Sequence, residues 1–174
     1  MFKSIVVAFD GSRHAARALQ IGAELAARED AALGIVYVID ESHFHIAEEM
    51  RRMGEVEQII DPAPKLQINF ENAPEAMISN LAQVSGDTLR VMQQYAEFLV
   101  GQAATDAARA GAKNVETSVE EGDPADEIIA WAKDRDADLI VCGNRGLGRW
   151  KSLLLGSTSS KITQLGECSC LTVK

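Results

Sequence analysis

Residues 138–160 read DLIVCGNRGLGRWKSLLLGSTSS. Asp138–Cys142 opens this stretch with a short, largely apolar run, the pattern of a strand buried on both faces. Gly143 breaks it. The glycines are spaced Gly143-x2-Gly146-x9-Gly156, with Ser157 and Thr158 next, and a helix is predicted to open at about Ser157. Glycine lets backbone N–H groups approach a ligand closely. A helix amino terminus offers free N–H groups and the positive end of a dipole. Ser157 and Thr158 add hydroxyl donors, and Arg145, Arg149 and Lys151 add positive charge. The pattern describes a phosphate cradle. With glycine at ~7% of residues, this spacing arises by chance roughly once in twenty chains of this size. The strand before it and the helix after it lower those odds. The loop is not of Walker type, because no Lys-Ser/Thr pair follows the last glycine, and the dinucleotide fingerprint G-x-G-x-x-G does not occur.

The rest of the chain is read outward from this loop. Ser4–Phe9 is a second buried strand, broken by Asp10-Gly11-Ser12. Ala15, Ala18, Leu19, Gly22, Leu25 and Ala26 recur at helical spacing, so residues 13–29 read as an amphipathic helix. Leu33–Ile39 is another buried strand. From Asp87, an N-cap candidate, the stripe Leu89, Met92, Ala96, Leu99 and Ala103 predicts a helix ending near Gly111. Val115–Val119 alternates as a strand. Asp123 and Pro124 occupy the cap and first position of a helix whose Ile128, Ile129, Trp131 and Ala132 face inward. A last strand covers about 170–173. Residues 40–86 show no clean pattern and carry Pro62, Pro64 and Pro74. A structureless loop of that length is unusual, so short helices are expected around 46–54 and 75–84.

Strands alternating with helices predict an α/β fold, an open doubly wound parallel sheet with helices on both faces and a helical insert at about 41–86 after the second strand. Ligands of such sheets bind beyond the carboxyl ends of the strands, where strand order reverses. Two strand ends are chemically distinctive: Asp10-Gly11-Ser12, and the glycine loop after Cys142.

Composition narrows the function. The 174 residues suggest a single domain spanning 1–174. The 17 basic and 26 acidic residues leave a net charge of −9, which argues against nucleic-acid binding, since phosphate backbones need a basic footprint. One small anion in a locally basic pocket remains compatible. No apolar run approaches the ~18 residues of a membrane helix, and no secretory signal is recognisable. Cys142, Cys168 and Cys170 form a sparse, odd set that fits a reducing compartment. A cytoplasmic protein is expected.

The chain resembles the universal stress protein family. The likeness rests on Val7-Ala8-Phe9-Asp10-Gly11-Ser12, on Tyr37-Val38-Ile39-Asp40 and on the whole glycine loop. It covers residues 1–40 and about 87–174, and the loop resembles the ATP-binding branch. The resemblance implies a five-stranded sheet in the order 3-2-1-4-5 and a homodimer. It implies that Asp10, with Gly11 and Ser12 beside it, lies near the adenosine of a bound ATP, ADP or AMP. The backbone of Val38 would meet the adenine edge, and Cys142 and Gly143 would flank the ribose. Gly146, Gly156, Ser157 and Thr158 would hold the phosphates, Mg2+ accompanying them, with Arg145 as a further contact. Two departures stand out. The 40–86 segment is longer than the family's usual connection, and Cys168-Ser169-Cys170 replaces Cys-Pro-Val before the last strand.

Other groupings have blander readings. His43 and His45 with Asp40 and Glu41 lack the convergent geometry of a metal site, and no side-chain metal site is expected. Cys168-x-Cys170 lacks redox spacing and reads as packing. Glu48–Arg52 reads as a solvated helix face, and Met50, Met53, Met77 and Met92 as packing. Asp10 could equally cap the helix that follows it. No assembled catalytic set is visible, so a nucleotide-binding regulator with at most slow hydrolysis is the leading expectation. A structural or chaperone-like dimer, or an ATP-using enzyme lidded by the insert, are the alternatives. Protein partners are not legible.

Overall fold

A computed structural model describes residues 2–40, 88–144 and 156–174, with backbone alone at 88–91. Nine elements alternate along the described residues. They are β1 (Ser4–Ala8), α1 (Arg13–Glu29), β2 (Ala32–Ile39), α2 (Thr88–Arg109), β3 (Asn114–Glu121), α3 (Pro124–Asp134), β4 (Leu139–Gly143), α4 (Ser157–Leu165) and β5 (Ser169–Val173). All strand pairs are parallel, in the order β3-β2-β1-β4-β5. The short helices expected around 46–54 and 75–84, the insert, and the Asp87 cap lie outside the described residues, as do His43, His45, Glu48–Arg52, Met50, Met53 and Met77.

The apolar run of β1 is explained by its central place. Ile5, Val6 and Val7 are all fully buried. Successive side chains on a strand point to opposite faces. Ile5 and Val7 therefore join α1 and α2 in one core, and Val6 joins α3 and α4 in the other. The β4 strand divides likewise: Leu139 and Val141 on the first face, Ile140 and Cys142 on the second. Each fully buried Val or Ile contributes about 1.5–3 kcal/mol of transfer free energy. The central strands thus anchor both layers.

Local signals start and stop the helices where expected. The Ser12 Oγ accepts from the Ala15 N–H at 3.2 Å and caps α1. The Asp123 Oδ1 accepts from the Ala125 and Asp126 N–H groups at 3.0 and 3.2 Å, with Pro124 in the first turn of α3. Gly111, at φ +100°, turns the chain out of α2. Of the predicted α2 stripe, Ala96 and Ala103 are buried, and Met92 and Leu99 pack against the same core. The outermost strand β3 carries Glu116, Glu120 and Glu121, charges that discourage pairing with a further strand. Among the described residues, no helix is long and apolar enough to cross a membrane.

Asp138 stitches the amino ends of β1 and β4 together. Its Oδ2 accepts from the Lys3 N–H at 2.6 Å and the Ser4 N–H at 3.0 Å. These backbone bonds favour the carboxylate and hold its pKa below the ordinary aspartate value. A depressed folded-state pKa stabilises above the unfolded pKa and is lost as pH falls through the folded one. The urea midpoint of Asp138→Asn is therefore expected to lie below the wild type at pH 7, with the gap closing as pH drops below about 4. A gap independent of pH would remove the carboxylate from this account.

Candidate functional site

Strand order reverses at β1. Its first successor β2 pairs on one side, and β4 pairs on the other. The crevice of such a sheet opens at the carboxyl ends of β1 and β4. The Asp10-Gly11-Ser12 turn follows β1, and the described ends of the glycine loop, Gly143, Asn144 and Gly156, adjoin β4 and α4.

At the end of β1, the Phe9 N–H still donates to the Val36 carbonyl at 2.9 Å, and the chain then turns. The Asp10 Oδ1 accepts from the Ser12 N–H at 2.9 Å. Gly11 follows at φ +78°, in the left-handed region that favours glycine. Ser12, and not Asp10, caps α1, so the helix-cap reading of Asp10 is replaced by a turn-holding one. This leaves the half-buried Asp10 carboxyl at the strand end. Tyr37, buried in β2, lies close enough that the charges of Asp10 and Asp40 and the neighbouring Tyr95 add to desolvation in pushing its hydroxyl pKa up. Tyr95 is itself pushed up to about 12 by burial. This pairing of Tyr37 with Tyr95 was missed from sequence, because β2 and α2 meet only in the fold.

At the end of β4, Gly143 has a packing reason that spacing alone does not reveal. A Cβ there would stand 2.8 Å from the His14 Cβ and 3.1 Å from the Ala15 nitrogen, inside the first turn of α1. Cys142 is 3% exposed and turned into the core shared with α3 and α4. Only its backbone therefore faces the strand end. Its thiol interacts with Cys170: that interaction and burial push the Cys142 thiol pKa up, and the same interaction holds the Cys170 thiol below the ordinary cysteine value. Ile140 pairs with Cys170 and Cys142 with Thr172, so the two cysteines stand two rungs apart in register. That geometry separates their Cα atoms by about 8 Å, beyond the span of a disulfide. The half-buried Cys168 packs against the same cluster.

The start of α4 is tied to the end of β4. The Asn144 N–H donates to the Val173 carbonyl, and the Gly156 N–H donates to the Asn144 carbonyl, both at 2.7 Å. The Ser159 hydroxyl lies within hydrogen-bond distance of the Asn144 and Gly156 carbonyls, at 3.2 and 3.1 Å. Gly156 is the N-cap of α4 and supplies no side-chain cap. The N–H groups of Ser157, Thr158 and Ser159 precede the first residue able to bond back into the helix, Ser160, whose N–H donates to the Gly156 carbonyl at 3.0 Å. Ser157 is exposed and Thr158 half-buried. The donor set suits an anion, unlike that at α3, where Asp123 already occupies the corresponding groups.

Val38 lies near the carboxyl end of β2, 8% exposed, on the α3 side. The fold thus brings Asp10, Gly11, Ser12, Cys142, Gly143, Gly156, Ser157 and Thr158 to neighbouring ends of β1, β4 and α4, with Val38 one strand beyond. Arg145 and Gly146 lie outside the described residues, as do Arg149, Trp150 and Lys151. One further residue is brought in by packing. Lys161 Nζ reaches Asp126 Oδ2 at 2.8 Å and Asp123 Oδ1 at 3.1 Å, joining α4 to α3. Its four-residue offset from Ser157 was the only sequence signal. Among the described residues, no three His, Cys, Asp or Glu side chains converge to hold a metal.

Fold and strand-end geometry together define a doubly wound parallel α/β protein with an anion-type helix terminus at its switch point. A model of the universal stress protein family matches residues 1–174. The chain belongs to that family. Universal stress protein YxiE of Bacillus subtilis (strain 168) is 30% identical over 177 residues, covering all of both chains. The structure of universal stress protein UspA from Lactobacillus plantarum matches with a TM-score of 0.69 at 23% identity, covering 99% of this chain and 97% of that one. A universal stress protein solved in complex with cAMP matches with a TM-score of 0.59 at 23% identity, over 99% and 97% of the two chains.

Proposed function

We propose that this chain is an ATP-binding regulatory protein of the stress response, a single unit spanning 1–174 whose nucleotide occupancy acts as a conformational switch. The observation that carries the reading is the amino terminus of α4. It is capped by glycine alone and tied to the end of β4, the strand that pairs with β1, after which Asp10 follows. The cAMP complex of a fold relative supports an adenine nucleotide as the ligand class. ADP and AMP are the competing occupants.

In this reading the Ser157 and Thr158 N–H and hydroxyl groups receive phosphate oxygens. Asp10 lies by the adenosine, the backbone of Val38 meets the adenine edge, and the backbone at Cys142 and Gly143 flanks the ribose. Gly146 and Arg145 complete the cradle from the loop. Mg2+ would arrive on the phosphates, since the described residues offer it no side-chain cage. The sheet's other edge supports a homodimer: among the described residues β5 pairs only with β4, and Leu165 and Leu171 are 57% and 36% exposed. A cytoplasmic location completes the proposal. Binding acts as a switch only through contacts that differ between two conformations. Hydrolysis, if measured, is expected below the ~1 s⁻¹ of ordinary enzymes.

Tryptophan fluorescence tests the reading. Trp131 is 6% exposed and held under the Arg135 guanidinium, 3.5 Å from the ring centroid. It should give a constant background. Trp150 stands within the glycine loop. Titration with ATP is expected to give a saturable change that disappears in Trp150→Phe. No change, with no heat by calorimetry on nucleotide-free protein, would reject nucleotide binding and favour the structural dimer.

A further inference from the structure

Helix α4 is fastened at two places, its first turn and its middle residue Lys161. One is the backbone tie to Asn144 at its first turn. The other is Lys161, whose ammonium sits between two carboxylates at the start of α3. The geometry there is specific. Asp123 Oδ1 accepts simultaneously from the Ala125 N–H, the Asp126 N–H and Lys161 Nζ. The same oxygen that caps α3 therefore clamps α4. Both partners favour the charged forms: the Lys161 pKa is raised, chiefly by Asp126 and then Asp123, and the Asp123 pKa is lowered, chiefly by Lys161. Side chains on a helix lean toward its amino terminus, so the clamp acts near the turn that carries the donors.

We propose that Lys161 is a positioning residue of the phosphate cradle, acting through Asp123 and Asp126 to fix the amino terminus of α4 against α3. The inference rests on the nucleotide reading above and extends it. Lys161 touches the acids and not the ligand; removing the clamp loosens the turn whose N–H groups must converge on phosphate. The groups are part-exposed, with side-chain exposures of 36% for Lys161, 54% for Asp123 and 57% for Asp126. The expected effect is correspondingly modest, about two- to fivefold in affinity.

Calorimetry of the full chain with ATP and with adenosine distinguishes this role from its rivals. Lys161→Met is expected to weaken ATP binding about two- to fivefold and to leave adenosine binding unchanged. Lys161→Arg, which keeps both pairings, should match the wild type. The decisive variant is the double substitution Asp123→Asn with Asp126→Asn. Asparagine preserves the α3 cap and removes two negative charges near the cradle. If Lys161 attracted phosphate directly, freeing it would tighten ATP binding. If it acts through the clamp, binding weakens as in Lys161→Met. Unchanged or tighter ATP binding in the double variant overturns the proposal, as does loss of adenosine affinity in parallel with ATP. Should the wild type bind no ATP, the nucleotide reading fails by itself. The clamp is then judged by amide hydrogen exchange in α4, where faster exchange in Lys161→Met supports it and unchanged exchange overturns it.

Discussion

Gly156→Val is expected to lower ATP affinity on the order of a hundredfold while leaving the fold intact. Gly156 lies at φ −71° and ψ 159°, extended backbone that any residue adopts. A β-branched side chain is comfortable in that region, so the substitution carries no conformational penalty of the kind a left-handed glycine would incur. The cost falls on the ligand. Isopropyl bulk at the N-cap stands where phosphate must approach the N–H groups of Ser157 and Thr158. Losing two hydrogen bonds to a charged group removes roughly 3 kcal/mol, allowing for partial compensation by water. Calorimetry measures the affinity, and the thermal midpoint checks that the fold survives. Unchanged affinity in a folded variant would move the phosphate site away from α4.

Gly34→Ala is expected to destabilise the protein by about 3 kcal/mol, or on the order of 6–12 °C in thermal midpoint for a chain of this size. Gly34 lies on β2 opposite Val6, facing α3. A Cβ there would come within 2.5 Å of the Trp131 Cη2 and 3.5 Å of the Val6 Cγ2. The indole has little room to retreat. The Arg135 guanidinium lies 3.5 Å from its centroid, and Arg135 is itself held by Glu116 at 2.6 Å. Alanine normally gains up to about 1 kcal/mol over glycine in a strand by restricting the unfolded chain. The overlap with a large, pinned ring outweighs that gain. A double-mutant cycle with Trp131→Leu checks the cause. The smaller side chain should relieve part of the clash, so the double variant loses less than the sum of the two single losses. Full additivity would mean that the indole is not the obstacle.

The two glycines divide by how much of their role could be read beforehand. The place of Gly156 at the start of α4 was legible, because the signal is local: glycine, two hydroxyl residues and a helix follow one another along the chain. Gly34 was read only as part of a buried strand, because Trp131 lies far along the chain and reaches it through the packing of α3. Gly143 falls between. The spacing marked it, yet its strictest demand comes from His14, through its Cβ and carbonyl carbon, and from the Ala15 nitrogen, all in the first turn of α1. Asp10 was marked as a special strand end, but not as the residue that holds the turn for the Ser12 cap.

The alternation of apolar runs with amphipathic stripes determined the sequence of elements, since buried parallel strands and surface helices have different hydrophobic periods. Caps and turn residues such as Ser12, Asp123, Pro124 and Gly111 set the boundaries, since they act within one turn. The chain order of the glycine loop and the hydroxyl pair also defined a candidate anion site without any long-range information. The tertiary structure decided what depends on register and layer. It set the Cys142 thiol in the core shared with α3 and α4 and brought Tyr37 within electrostatic reach of Tyr95, Asp10 and Asp40. It also clamped α4 to α3 through Lys161. Each of these joins residues from different elements, and the side-chain pairings arise only when strands take their order and helices pack on the two faces.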